Sequence, residues 1–267
     1  MLNNLTDFQK NSILAGISVL AISSLFFIPA IPQDLDYHQF ADQRLLFKTP
    51  HFFNVVSNIL FLLVGGLGIK LLLRENIAGF LEKTYGMYMA FFVGIFFVGL
   101  GSGYYHLAPN NQTLIWDRLP MTVAFMALFS IIFSEFISVK LGKLIFLPLI
   151  ALGILSIVYW VYSETQSEGD LRFYGLVQFL PMTLIPLILL LFNSQSSQTK
   201  QYWYLLGFYF LAKIFETADL PVYQLTTVIS GHSLKHIFAG IGCYFFYTQL
   251  KKRYIATLSK KNQFTSF

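Results

Sequence analysis

Apolar stretches long enough to cross a lipid bilayer recur along this chain, and they constrain its fold more than any other feature. A span of the hydrocarbon core needs about 20 predominantly apolar residues. Segments 12–31, 52–73, 86–107, 117–138, 143–162, 172–193, 202–218 and 228–250 qualify. The seventh is the weakest of them, because Lys213, Glu216 and Asp219 interrupt its end. The pattern predicts an all-α membrane protein of about eight spans. The first run exceeds the core of a signal peptide, about 7–15 residues, and lacks a clear small-x-small cleavage pattern. Pro29 and Pro32 follow it, and it reads as a retained helix.

Composition agrees. Only 12% of residues are charged and 55% are hydrophobic, whereas a soluble domain is about 25% charged. There are too few polar side chains to cover a water-facing surface. The net charge of +5 does not point to nucleic acid, because the basic residues sit in short connections and a tail, where the positive-inside rule places them. The single cysteine, Cys243, lies in an apolar run. It excludes a disulfide framework and a cysteine-rich zinc site, and reads as a small buried apolar residue.

Lysine and arginine also set the orientation. The tail "KKRYIATLSKK", the connection 74–85 with Arg74 and Lys83, Lys140 and Lys143 in 139–143, and Lys200 in 194–201 are basic. The alternate connections are poorer in cations: 163–170 is acidic and 108–113 is uncharged. The 32–51 connection breaks the trend, with Arg44 and Lys48 among Asp34, Asp36 and Asp42. Both termini are therefore expected in the cytoplasm, with 32–51, 108–116, 163–171 and 219–231 on the other side.

On that topology the unusual polar residues gather at the outer end. Ser102 and His106 close the third span, Asp117 opens the fourth, Ser57 and Asn58 begin the second, and His232 and His236 open the last. Residues at i and i+4 share a helix face, about 6 Å apart at Cβ. His232 with His236, and Ser102 with His106, are such pairs. Two histidines one turn apart are a frequent metal pair, and a third from another helix gives the three-nitrogen set of a catalytic zinc. Asp117 would then be a base for water. Taken singly, each residue has a plainer reading. The histidine pair could be interfacial, Ser102 a packing residue, and Asp117 the cap of its helix. The chain has five histidines and three fall in this constellation, which favours the metal. His38 and His51 read as solvent or headgroup contacts. Lys213–Glu216 reads as an internal ion pair, with Lys235 and Arg172 meeting these acids or a headgroup. Glu135 reads as facing water at a helix end.

The stretches "SNILFLLVGG", "SGYYH" with an aspartate eleven residues beyond its histidine, and "GHSLKH" resemble the alkaline ceramidase family, part of a wider group of seven-helix membrane hydrolases that includes the adiponectin and progestin receptors. The resemblance covers about residues 52–250. It implies a seven-transmembrane helix bundle at 52–250; the extra helix and outer loop at 1–51 depart from the family, and a basic cytoplasmic tail at 251–267 follows the bundle. It implies zinc (Zn2+) held by His106, His232 and His236, with Asp117 activating water and Ser102 helping to stabilise the oxyanion. The implied reaction is hydrolysis of the amide of ceramide or a related N-acyl lipid to a fatty acid and a free amine. The implied partner is a membrane lipid, with no protein partner to infer.

Three departures stand out. His51 occupies a position a few residues before Asn54 where animal members carry an acid, which argues against their calcium site. Lys235 stands where an aromatic residue is typical, which bears on headgroup preference. The short connections look bacterial, which points to a bacterial inner membrane and leaves ceramide itself open as substrate. Two other classes compete. A lipid receptor that keeps the zinc fold would lack an activating acid. A proton pathway through Lys213, Glu216, Asp219 and Lys235 would spread polar groups through the membrane rather than cluster them at one end.

Overall fold

A computed structural model describes residues 5–74, 77, 81–194 and 199–264, with side chains through Ser259. Residues 75, 76, 78–80 and 195–198, inside two of the orienting connections, and the side chains of Lys260 and Lys261 in the basic tail, lie outside that set. The regular elements among the described residues are helices, with no β-strand beyond one isolated bridge between Leu46 and Thr49. In order they form α1 (Asp7–Ser24), α2 (Phe52–Val56), α3 (Ile59–Leu72), α4 (Tyr85–Leu107), α5 (Asn111–Phe136), α6 (Val139–Thr165), α7 (Arg172–Leu191), α8 (Lys200–Thr217), α9 (Asp219–Thr226) and α10 (Gly231–Phe264). A single 3-10 turn, Leu35–His38, lies between α1 and α2.

Every apolar run contains a helix, and local chemistry moves several ends. α1 starts at Asp7 because Thr6 and Gln9 form a capping box, and it stops at Ser24. Residue 28 precedes Pro29 and is biased away from helix, so the expected 12–31 span is a shorter, earlier helix. α5 starts at Asn111, where the Asn110 side chain accepts from the Gln112 and Thr113 amides. Asn110, not Asp117, is therefore the cap. α10 runs to Phe264, so helix continues through what reads as the tail.

Among the described residues, five rods are long and apolar enough to cross a membrane: Phe52–Leu72, α4, α5, α6 and α7. The first joins α2 and α3 across a break at Ser57 and Asn58, where the Asn58 side chain donates to the Asn54 carbonyl (2.7 Å). α6 is the most apolar, yet only 22% of its most apolar stretch is buried in protein. Leu144, Leu147, Leu155 and Tyr162 lie on its exposed surface. Continuous apolar surface of that kind suits lipid rather than water. The chain is a multi-pass integral membrane protein.

α4 packs along α5, α3 along α4, and α8 along α10. The α4–α5 contact depends on a pair of residues in different helices. Pro120 lacks the amide hydrogen that would bond the carbonyl of Trp116 one turn earlier. Gly101 faces that carbonyl, and a Cβ on Gly101 would overlap it. Gly101→Ala is expected to cost about 1–3 kcal/mol from overpacking, read as a lower unfolding temperature in detergent. Gly103→Ala, where a Cβ meets nothing within 4 Å, serves as the control and is expected to be neutral or slightly stabilising.

Two charged residues depart from their sequence reading. Glu135 does not face water. It is nearly buried and accepts from Tyr88 (2.6 Å), Tyr202 (2.8 Å) and Arg253 (2.7 Å), joining α4, α8 and α10 to the far end of α5. Arg172 meets neither Glu216 nor Asp219. It pairs with Asp170 (2.7 Å) and donates to the carbonyls of Leu25 and Ile28, fastening the exit of α1 to the start of α7. Burial works against ionisation of Asp170, but hydrogen bonds from Arg172 and Tyr159 outweigh it and hold the carboxyl at about 2.

Candidate metal centre

His106 lies in the last turn of α4, and His232 and His236 in the first two turns of α10. The short 108–110 connection folds α5 back along α4, which sets Asp117 beside the end of α4. Gly231 lets α10 begin close under the end of α8, because a Cβ there would strike the carbonyls of Phe215 and Ala218. The three imidazoles converge. Their ring centroids are 4.9 Å (His106–His232), 5.0 Å (His106–His236) and 4.9 Å (His232–His236) apart. One nitrogen from each lies within 4.8 Å of the others, and all three residues are buried.

Hydrogen bonding fits these rings to a metal. His106 Nδ1 and His232 Nε2 are buried without a hydrogen-bond partner. An unsatisfied buried nitrogen is costly, and a cation shared by the cluster removes that cost. For His236 the free nitrogen follows from its neighbour. Ser57 Oγ donates to the Asn54 carbonyl (3.1 Å), so it accepts from His236 Nδ1–H (2.9 Å). That tautomer leaves Nε2 with its lone pair, and an oriented second nitrogen is the usual support of a ligating histidine. Three buried imidazoles with open lone pairs are a zinc-coordinating set.

The surroundings came only partly from sequence reasoning. His51, expected to meet solvent, donates from Nδ1 to the His106 carbonyl (2.9 Å). His38, also expected at the surface, donates from Nε2 to Asn111 Oδ1 (2.8 Å) and so accepts from the Tyr105 hydroxyl (2.8 Å). Phe40, a buried ring from the 32–51 connection, lies 4.6 Å from His106 and 4.4 Å from His232, centroid to centroid. Asp219 holds that lid down. One carboxylate oxygen accepts from the Ala41 amide (2.9 Å), and the other accepts from the His232 amide (2.7 Å) at the start of α10. Of the acids in that connection, Asp42 is taken by Arg44 (2.7 Å), and Asp34 caps the 3-10 turn by accepting from the Asp36 amide (2.9 Å). Burial disfavours the Asp42 carboxylate, but the Arg44 hydrogen bonds prevail and hold its pKa below the ordinary value. Polar side chains flanking this loop are visible in the sequence, but nothing local marks Phe40 as a cover for two histidines.

Asp117 is buried two turns into α5, and Ser102, in α4, is buried beside the same cavity. Both open onto this cavity, of about 410 Å³, which His236 also reaches. The rest of the cavity is mostly apolar, with Phe91, Ile95, Leu128, Leu205 and Cys243 among its walls. The expected Lys213–Glu216 ion pair is present, and Lys235 reaches the other oxygen of Glu216 (3.0 Å). All three residues line the same cavity.

The family model described as Ceramidase matches residues 49–267, most of the chain and all of the metal centre. The chain belongs to the ceramidase family. A comparison with curated proteins finds no match. Family and geometry agree on the chemistry: a ceramidase-family member with three converging buried histidines is a membrane zinc-dependent amidohydrolase that acts on lipid.

Proposed function

We propose that this ceramidase-family member cleaves the amide of ceramide or a related N-acyl lipid, with Asp117 as general base and Ser102 as its partner. The observation that carries this reading is the shared cavity. An ionisable Asp117–Ser102 pair and a member of the histidine cluster open onto one mostly apolar chamber, which suits a polar amide bearing a long chain.

His106, His232 and His236 would hold the ion. When bound there, zinc supplies Lewis acidity, acidifying water and polarising the amide carbonyl. Asp117 takes a proton from the attacking water. Ser102 has a single hydroxyl proton, and while Asp117 is ionised that proton serves the carboxylate. Once Asp117 is protonated, Ser102 is free to donate to the developing oxyanion, and such stabilisation is commonly the largest single contribution to catalysis. The C–O bond to the water oxygen forms first, giving that oxyanion; its collapse then breaks the C–N bond, and Asp117 returns its proton to the departing amine. Phe40 shields the histidines from water, which strengthens each of these interactions.

In this reading α1, the 52–72 rod, α4–α8 and α10 all cross the bilayer: one extra amino-terminal span and then a bundle of seven. Of the charges that lower the hydropathy of α8 and α10, Lys213 and Lys235 are both paired with Glu216. Both termini lie in the cytoplasm of a bacterial cell, and the metal centre lies near the outer face. The test is to incubate purified, metal-analysed protein with a panel of N-acyl lipids and detect released fatty acid by mass spectrometry. Release that needs zinc is expected for at least one lipid. A fully zinc-loaded protein that releases none, while binding lipid, would instead support a receptor.

A further inference from the structure

Arg118 neighbours the proposed base but has no role in the mechanism above. It is 6% exposed, and among the described residues no carboxylate lies within ion-pair distance of it. Its guanidinium lies 4.7 Å from the centroid of Trp160 and 4.8 Å from that of Tyr174. Nη2 donates to Gln33 Oε1 (2.6 Å), which fixes the plane of the fork. Nη1 has no partner. Arg118 nevertheless lines the cavity, together with Asp117 and the Lys213–Glu216–Lys235 group. A buried cation is expensive unless its donors are satisfied, and here the rings and one amide carry it only part of the way.

The charges of the chamber indicate what completes it. Arg118, Lys213 and Lys235 stand against Asp117 and Glu216, leaving one positive charge in excess. A divalent ion at the histidines would add to that excess. Glu216 is already shared between the two lysines, so the unanswered donor is the arginine. A planar guanidinium with a free N–H is suited to a carboxylate or phosphate oxygen. A neutral hydroxyl would satisfy the donor but leave the charge uncompensated.

We infer that the polar end of the cavity is an anion site, and that the preferred substrate is an N-acyl lipid whose amine portion carries a carboxylate or a phosphate, recognised by Arg118 with support from Lys213 and Lys235. This rests on the hydrolase reading above and narrows its substrate class. The apolar walls take the acyl chain, and Arg118 holds the opposite end of the amide.

The test uses full-length, zinc-loaded protein in detergent and three lipids of matched acyl length: an N-acyl amino acid, an N-acyl sphingoid base phosphate, and neutral ceramide. Fatty acid release gives kcat/KM, and quenching of tryptophan emission, to which Trp160 beside Arg118 contributes, gives binding. At least one anionic lipid is expected to exceed ceramide by roughly tenfold to a hundredfold, the worth of a hydrogen bond to a charged group. The arm that wins tells carboxylate from phosphate. In Arg118→Gln that ratio is expected to fall to about parity, chiefly through KM. Arg118→Lys and the half-exposed Lys213→Gln, each expected to lower the ratio in part, cover the case in which Arg118→Gln does not fold. Ceramide used as well as either anionic lipid by the wild type, or a ratio indifferent to all three substitutions, overturns the anion site and leaves the hydrolase standing. Arg118-dependent binding of an anionic lipid with no turnover of any lipid does the reverse. Neither binding nor cleavage of any of the three overturns both.

Discussion

Asp117→Asn is expected to lower turnover by about 10²–10⁴-fold, the usual worth of a positioned general base, while the protein keeps its zinc. The change is nearly isosteric. The asparagine oxygen can still accept from Ser102, which lines the same cavity from α4. What disappears is the ability to take a proton. Asp117 is not one of the three side chains whose nitrogens converge, so metal content should match that of wild type by elemental analysis. The measurement is the single-turnover rate of fatty acid release on a competent N-acyl lipid, made at equal zinc occupancy. A mutant that retains wild-type rates would remove Asp117 from proton transfer. A mutant that loses zinc in proportion to its rate would make Asp117 a support of the metal rather than a base.

His236→Ala is expected to have the larger effect on metal. It removes one of three converging ligands, together with the ring N–H that the Ser57 oxygen accepts. Loss of an orienting partner alone typically weakens metal binding about 10–100-fold, so loss of the ligand should exceed that range. Ser57→Ala is the graded companion, because it deletes the orienting hydroxyl and leaves the imidazole. Zinc retained against a chelator series, measured by elemental analysis, should therefore rank wild type first, Ser57→Ala second and His236→Ala last. If Ser57→Ala and His236→Ala retain zinc equally, His236 binds no metal and serves only as a partner of Ser57.

Much of this was legible in the sequence because lipid enforces it. Backbone groups without water to bond must be satisfied internally, so apolar runs of sufficient length become helices, and every run contains one. The histidines were legible for a similar reason: the i, i+4 spacing of His232 and His236 fixes their common face before any tertiary contact forms. The helix ends were less so, because the capping residues Thr6 and Asn110 act outside the apolar pattern. Pairings distant in sequence were not legible at all. Glu135 looks like a solvated residue at a helix end, yet its partners Tyr88, Tyr202 and Arg253 come from three other helices. His38, His51 and Phe40 lie in a polar connection whose composition suggests exposure, and Asp219, far along the chain, draws that connection over the metal centre. Hydropathy reports the average surroundings of a segment, and these residues depart from the average of theirs.

X-ray absorption at the zinc edge of the purified protein tests the central claim most directly. Zinc bound through three imidazole nitrogens at about 2.0–2.1 Å, at one ion per chain and lost on replacing any of His106, His232 or His236, is the expected result. A spectrum dominated by oxygen or sulfur ligands, or a stoichiometry indifferent to all three replacements, would contradict it.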